Sequence, residues 1–274
     1  MREHIDFVQA QFLPWEDATP YGQPGARLKL LSKDTDTDAF SAVLRLPPGW
    51  SSTWRPSGHD YEIYVLDGAA HIGAESFIAH DYAFFPYGFG AIEVSSTHGC
   101  VMLFFRSSKA SELEPLAELV QQRLVRKVRL PDADWDGDLA RMGLDSMKAA
   151  SRMRVLRQDP ISGETTYVTA TFAFRRGRQA ERHPIAQEFY LLSGELAGPL
   201  GIMQAGAYCI RPPMAKHGPY GSPTGALILF RGFGGEQATY WEDTDPFTYE
   251  PAHQPILPER LLPYGQPYDR VKKY

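Results

Sequence analysis

At 274 residues, with 43% hydrophobic and 22% charged residues, the chain can hold one large or two medium domains with real cores. A net charge of −5 and a pI near 5.9 argue against a nucleic-acid partner, which needs a basic face. No run approaches the roughly 18 apolar residues of a membrane-spanning helix, and the acidic start MREHIDFVQAQFLPWED lacks an apolar signal core. The expectation is therefore a cytoplasmic protein without nucleic-acid or membrane partners. In chain order, Ile63-Tyr-Val-Leu66 is a short apolar run that ends at a glycine turn, which predicts a strand. Cys100 lies in an apolar run and reads as a small buried hydrophobe, as does the isolated Cys209. Leu113, Leu116, Leu119, Val120 and Leu124 fall at helical spacing. They predict a helix over Ser111–Arg126, with Ser111 and Glu114 as a capping box and Pro115 in its first turn. Tyr167–Phe174 and Phe189-Tyr-Leu-Leu192 again predict strands, the first from its β-branched and aromatic content. The proline-rich stretch Asp245–Tyr274 predicts an extended strap.

The chain repeats. Glu62-Ile-Tyr-Val-Leu-Asp-Gly68 and Glu188-Phe-Tyr-Leu-Leu-Ser-Gly194 share one pattern 126 residues apart, and the same interval relates Tyr82 to Tyr208 and Pro86 to Pro212. Asp34 and Asp159, and Arg106 and Arg231, match at 125. Short strands separated by Gly, Pro and Asp clusters, in a unit that occurs twice, predict an all-β protein of two tandem sandwiches or barrels. The boundary expected from the repeat divides the chain into 1–126 and 127–274, with the helix as connector.

The second copy reads Glu181-Arg-His183-Pro-Ile-Ala-Gln187-Glu188, then Gly194, then Pro212 followed five residues later by His217. These segments resemble the two motifs of the cupin superfamily. In that family an x-H-x-H pair, a Glu or Gln four or five residues on, and a final His supply four metal ligands. The phrases around Pro48-Gly49-Trp50, Asp159–Gly163 and Arg211–Pro219 are similar to bacterial bicupins related to the cupin module of the ChrR anti-sigma factor. The resemblance implies two double-stranded β-helix (jelly-roll) barrels. It also implies ligand positions at His183, His217 and either Gln187 or Glu188, with Glu181 standing where the family has its first His. An even spacing from His183 favours Gln187. A register shift at Pro184, the better chemistry of a carboxylate and the repeat with Glu62 favour Glu188, which is preferred.

Two imidazoles with carboxylates suit a divalent ion such as iron, manganese, zinc or nickel. The first copy has Arg55, Ser57 and Ala91 at the places of Glu181, His183 and His217, so its site is expected to be lost, with Arg55 paired to Glu62. His59 and His98 lie near but out of register. Tyr190, Tyr208 and Arg211 are candidates to face a substrate, with Lys216 and Tyr220 beside them. The family likeness implies a metal-dependent enzyme acting on a small molecule in the second barrel, dioxygenase-like or hydrolytic. The alternative is a ligand- or metal-sensing module like that of ChrR. A homodimer is expected, because exposed strand edges invite pairing.

Overall fold

The computed structural model describes residues 2–107, 116–132, 135, 150–245 and 256–265. The chain forms two compact β units, each a closed jelly-roll barrel, as the repeat predicts. Among the described residues no helix is long and apolar enough to cross a membrane.

In the first unit the sheet path runs Val125–Arg129, Asp81–Phe85, Tyr61–Ile72, Cys100–Arg106, Phe40–Leu46, Arg27–Lys33 and Glu16–Asp17. Tyr61–Ile72 is long enough to serve both faces. Its first half pairs with Asp81–Phe85 and Cys100–Arg106, and its second half with Glu75–Ile78 and Ile92–Ser96. The second unit repeats this plan. Ala186–Gly198 pairs first with Ala207–Arg211 and Ala226–Phe233, then with Gly201–Gln204.

The crossing between faces is built by a repeated device. The ladder skips one residue at Leu66 in the first unit and at Leu192 in the second, so each strand bulges before it crosses over. Gly68 and Gly194 follow, at φ 73° and 80°. A Cβ at Gly68 would collide with the Gly99 carbonyl, and one at Gly194 with the Gly225 carbonyl. Left-handed backbone and close approach both demand glycine there. The match of Arg106 to Arg231 does not survive in three dimensions. Arg106 lies opposite Tyr61, whereas Arg231 lies opposite Glu188, so Phe105 is the structural counterpart of Arg231.

The units depart from the division expected at 126/127. Residues Glu3–Phe12 cluster with the second unit, because Ile5–Gln9 adds an antiparallel strand beside Ala207–Arg211. The described part of the tail holds this arm: Asp6 N donates to the Ile256 carbonyl at 3.0 Å, Ile256 N donates to the Asp6 carboxylate at 2.8 Å, and Arg260 binds Glu3. Within the expected strap Glu259–Tyr264 is a 3-10 helix rather than extended chain. The connecting helix is Ala117–Arg123, and the capping box Ser111/Glu114 lies outside the described residues. The expected helix also ran on through Leu124 to Arg126. It stops short because the edge of Asp81–Phe85 offers ladder partners that Val125–Arg129 takes instead.

The two interiors are filled differently. In the first unit Trp54, Tyr61 and Phe104 pack edge-on or tilted with centroids 5.3–6.2 Å apart, and Trp54 donates to Gln23. By the register of the repeat, Tyr61 stands where Gln187 stands in the second unit. Aromatic bulk therefore fills the first barrel where the second has polar side chains and space.

Candidate metal centre

The ribbon Gln179–Arg182 pairs on one side with Tyr240–Asp243. On its other side Glu181 and His217 exchange both backbone hydrogen bonds, N to O at 2.8 and 3.0 Å. A hydrogen-bonded antiparallel pair places both side chains on one face. His183, two residues on, projects to the same side, and its carbonyl accepts from Met214 N at 2.7 Å. The result is a cluster of Glu181, His183 and His217 with one ligand atom of each within 4.8 Å of the others. Glu181 Oε1 is 3.5 Å from His217 Nε2, and its Oε2 is 4.0 Å from His183 Nε2.

The tautomers follow from the backbone. His183 Nδ1 lies 2.9 Å from the Ala238 carbonyl and His217 Nδ1 2.9 Å from that of Ala215. Each Nδ1 therefore carries the proton and donates it, which leaves the Nε2 lone pairs facing the carboxylate. Both Nε2 atoms are buried and have no hydrogen-bond partner. Buried polar atoms are seldom left in that state, and two lone pairs converging on one carboxylate are what a divalent cation requires. Burial, then the nearby Arg211 cation, holds the His217 pKa well below the usual histidine range, which keeps its imidazole neutral. Burial raises that of Glu181, against the pull of His183, Arg175 and Arg211. The residues present fit a metal ion with a two-nitrogen, one-oxygen donor set.

Gln187 and Glu188 separate cleanly. Gln187 lines the same cavity of about 30 Å³ as Glu181 and His217, together with Arg175, Thr169 and Tyr220, and it donates to Tyr167 Oη at 3.3 Å. The preference for Glu188 is corrected. Glu188 lies on the opposite strand face, where its carboxylate accepts from Tyr208 Oη and pairs with the Arg231 guanidinium. The repeat signal that favoured it has a structural cause: Glu62 likewise accepts from Tyr82, at 2.7 Å. Arg55, its expected partner, is exposed while Glu62 is buried.

Tyr190 and Tyr208 are corrected too. Both point to the Glu188 face, because Phe189, Leu191 and Cys209 take the alternate, interior positions. Arg211 does line a cavity. With Asp6, Phe7, Leu200, Met203 and Lys216 it bounds a space of about 260 Å³ that His217 and Tyr220 share with the cavity of Glu181 and Gln187. Asp6 and Phe7 went unread in the sequence. They belong to a strand almost two hundred residues from its partner, and only its Ile-x-Phe alternation hints at a buried face. In the first unit Arg55, Ser57 and Ala91 border an open surface cleft, His59 bonds the Ser107 carbonyl at 3.0 Å, and His98 is exposed.

Residues 139–235 match the family model of the ChrR Cupin-like domain. No curated protein matches the chain. Among solved structures it is similar to a protein of Nostoc punctiforme provisionally assigned as a dioxygenase, at 17% identity and a TM-score of 0.73, covering 90% of this chain and 92% of that one. A variant of Bacillus subtilis oxalate decarboxylase aligns at 12% identity and a TM-score of 0.56, over 86% and 78% of the two chains. The protein YlbA of E. coli aligns at 13% identity and a TM-score of 0.59, over 84% and 92%. Identities this low speak for the fold and not for the reaction. Residues 139–235 thus match a cupin-like domain, and the chain shares the fold of these neighbours.

Proposed function

We propose that the second barrel is a metal-dependent enzyme site for a small organic molecule, with Glu181, His183 and His217 as ligands and Gln187 available as a fourth. The observation that carries this reading is the pair of buried, unpartnered Nε2 atoms facing one carboxylate. An iron, manganese, zinc or nickel ion held there supplies a Lewis acid with open positions, suited to dioxygenase-like or hydrolytic chemistry. The chain's own residues do the rest. The Ala238 and Ala215 carbonyls fix the imidazole orientations, and Tyr167 holds Gln187 in place. Phe7, Leu200 and Met203 give the outer cavity an apolar wall, while Arg211 and Tyr220 offer it polar contacts. The test is metal analysis of the purified chain together with oxygen uptake on β-diketone-type substrates. Bound iron or manganese with oxygen uptake supports the reading. Metal-free protein, unchanged in stability when metal is added, defeats it.

The ChrR Cupin-like match favours a second reading, a metal or ligand sensor without turnover. It predicts metal binding with no product from any substrate, and a change in partner binding on metal loading.

A further inference from the structure

The outer cavity carries an asymmetry that the metal reading does not use. Its walls are apolar at Phe7, Pro199, Leu200 and Met203, and one buried cation, Arg211, stands among them. The Arg211 guanidinium is 4% exposed as a residue, lies over the rings of Phe189 and Tyr220 at 5.8 and 6.0 Å, and donates from Nη2 to the Asp6 carbonyl at 2.9 Å. Its Nε is buried without a hydrogen-bond partner. The Asp6 carboxylate is 3.9 Å away, too far for a hydrogen bond, and is already taken by His4 at 3.1 Å and Ile256 N at 2.8 Å. The other cation of this wall, Lys216, is bound to Glu242.

A buried guanidinium with an unused donor recognises planar oxyanions, because its fork matches two oxygens. We infer that the cavity takes a small, mostly apolar organic acid or enolate, anchored by Arg211, and that the N-terminal strand completes this site. The backbone carbonyl of Asp6 holds the guanidinium, and Phe7 is the specificity wall. Phe7 packs tightly against the backbone of Gly201, where a Cβ would lie 2.8 Å from its ring. A volume of about 260 Å³ admits on the order of ten non-hydrogen atoms. The inference rests on the proposed site being the place of reaction, but the binding it predicts needs no metal.

The experiment is calorimetric titration of the full chain with benzoate, 3-methylbutanoate and phenylpyruvate, each against its neutral amide. Wild type should prefer at least one acid over its amide by tenfold or more. Arg211→Gln should erase the preference. Phe7→Ala should shift the preference toward the bulkier acid while metal content stays at the wild-type level. Should Arg211→Gln fail to fold, Phe7→Ala and Arg211→Lys, the latter weakening binding of the acid, carry the test. Equal binding of acids and amides, or no binding of either, overturns the inference. Metal uptake with no acid preference overturns this inference alone; acid preference without metal uptake overturns the metal reading alone.

Discussion

Glu188→Gln separates a fold residue from a ligand most sharply. The carboxylate of Glu188 is 1% exposed as a residue and accepts from Tyr208 while pairing with Arg231. The substitution keeps the shape and removes the charge. Breaking a buried pair from one side costs about 3–5 kcal/mol, because the partner cation stays behind. Arg231 is partly exposed, its side chain at 13%, which brings the expected loss nearer 2–3 kcal/mol by the range for hydrogen bonds to charged groups. For a unit of this size that lowers its melting temperature by roughly 4–12 °C. Tyr208→Phe should cost about 1.5–3 kcal/mol by removing the hydroxyl that donates to Glu188. Differential scanning calorimetry, which can resolve separate transitions for two units, reads the loss, and metal analysis of the same samples should show no change. If Glu188→Gln melts like wild type and arrives without metal, Glu188 is a ligand and the assignment of the strand faces is wrong.

Three further outcomes follow from the same geometry. His183→Ala and His217→Ala should each abolish metal uptake, while Ser57→Ala in the first barrel should leave the metal content intact. Trp54→Ala should destabilise the first unit by about 3–5 kcal/mol, since it empties a packed aromatic interior, and leave the metal content of the second untouched. Gly194→Ala, forced against the Gly225 carbonyl at φ 80°, should cost at least about 2–3 kcal/mol, read by denaturant titration.

The repeat was legible because it records folding constraints. Glu62 and Glu188, Tyr82 and Tyr208, and Gly68 and Gly194 recur because each barrel needs the same buried bond and the same crossing. That signal misled at the site, where recurrence made Glu188 look functional. The residues of the proposed metal site are those that do not recur: Glu181, His183, Gln187 and His217 face Arg55, Ser57, Tyr61 and Ala91 across the repeat. Parity along the strand had pointed to Gln187, and Pro184 did not shift the register as expected, since Gln187 shares the cavity of Glu181 and His217. Tyr190 and Tyr208 failed for the same reason: with the register in doubt, alternation could not say which of Tyr208 and Cys209 faces inward. The arm Ile5–Gln9 was out of reach, because no local pattern announces a strand whose partner lies at the other end of the chain.

X-ray absorption at the metal edge of the purified chain tests the central claim most directly. It should report two imidazole nitrogens and at least one oxygen at roughly 2.0–2.2 Å, with the imidazole scattering reduced in His217→Ala. A wild-type chain that holds no metal after incubation with iron, manganese, zinc or nickel, or a bound metal whose scattering His217→Ala leaves unchanged, would contradict it.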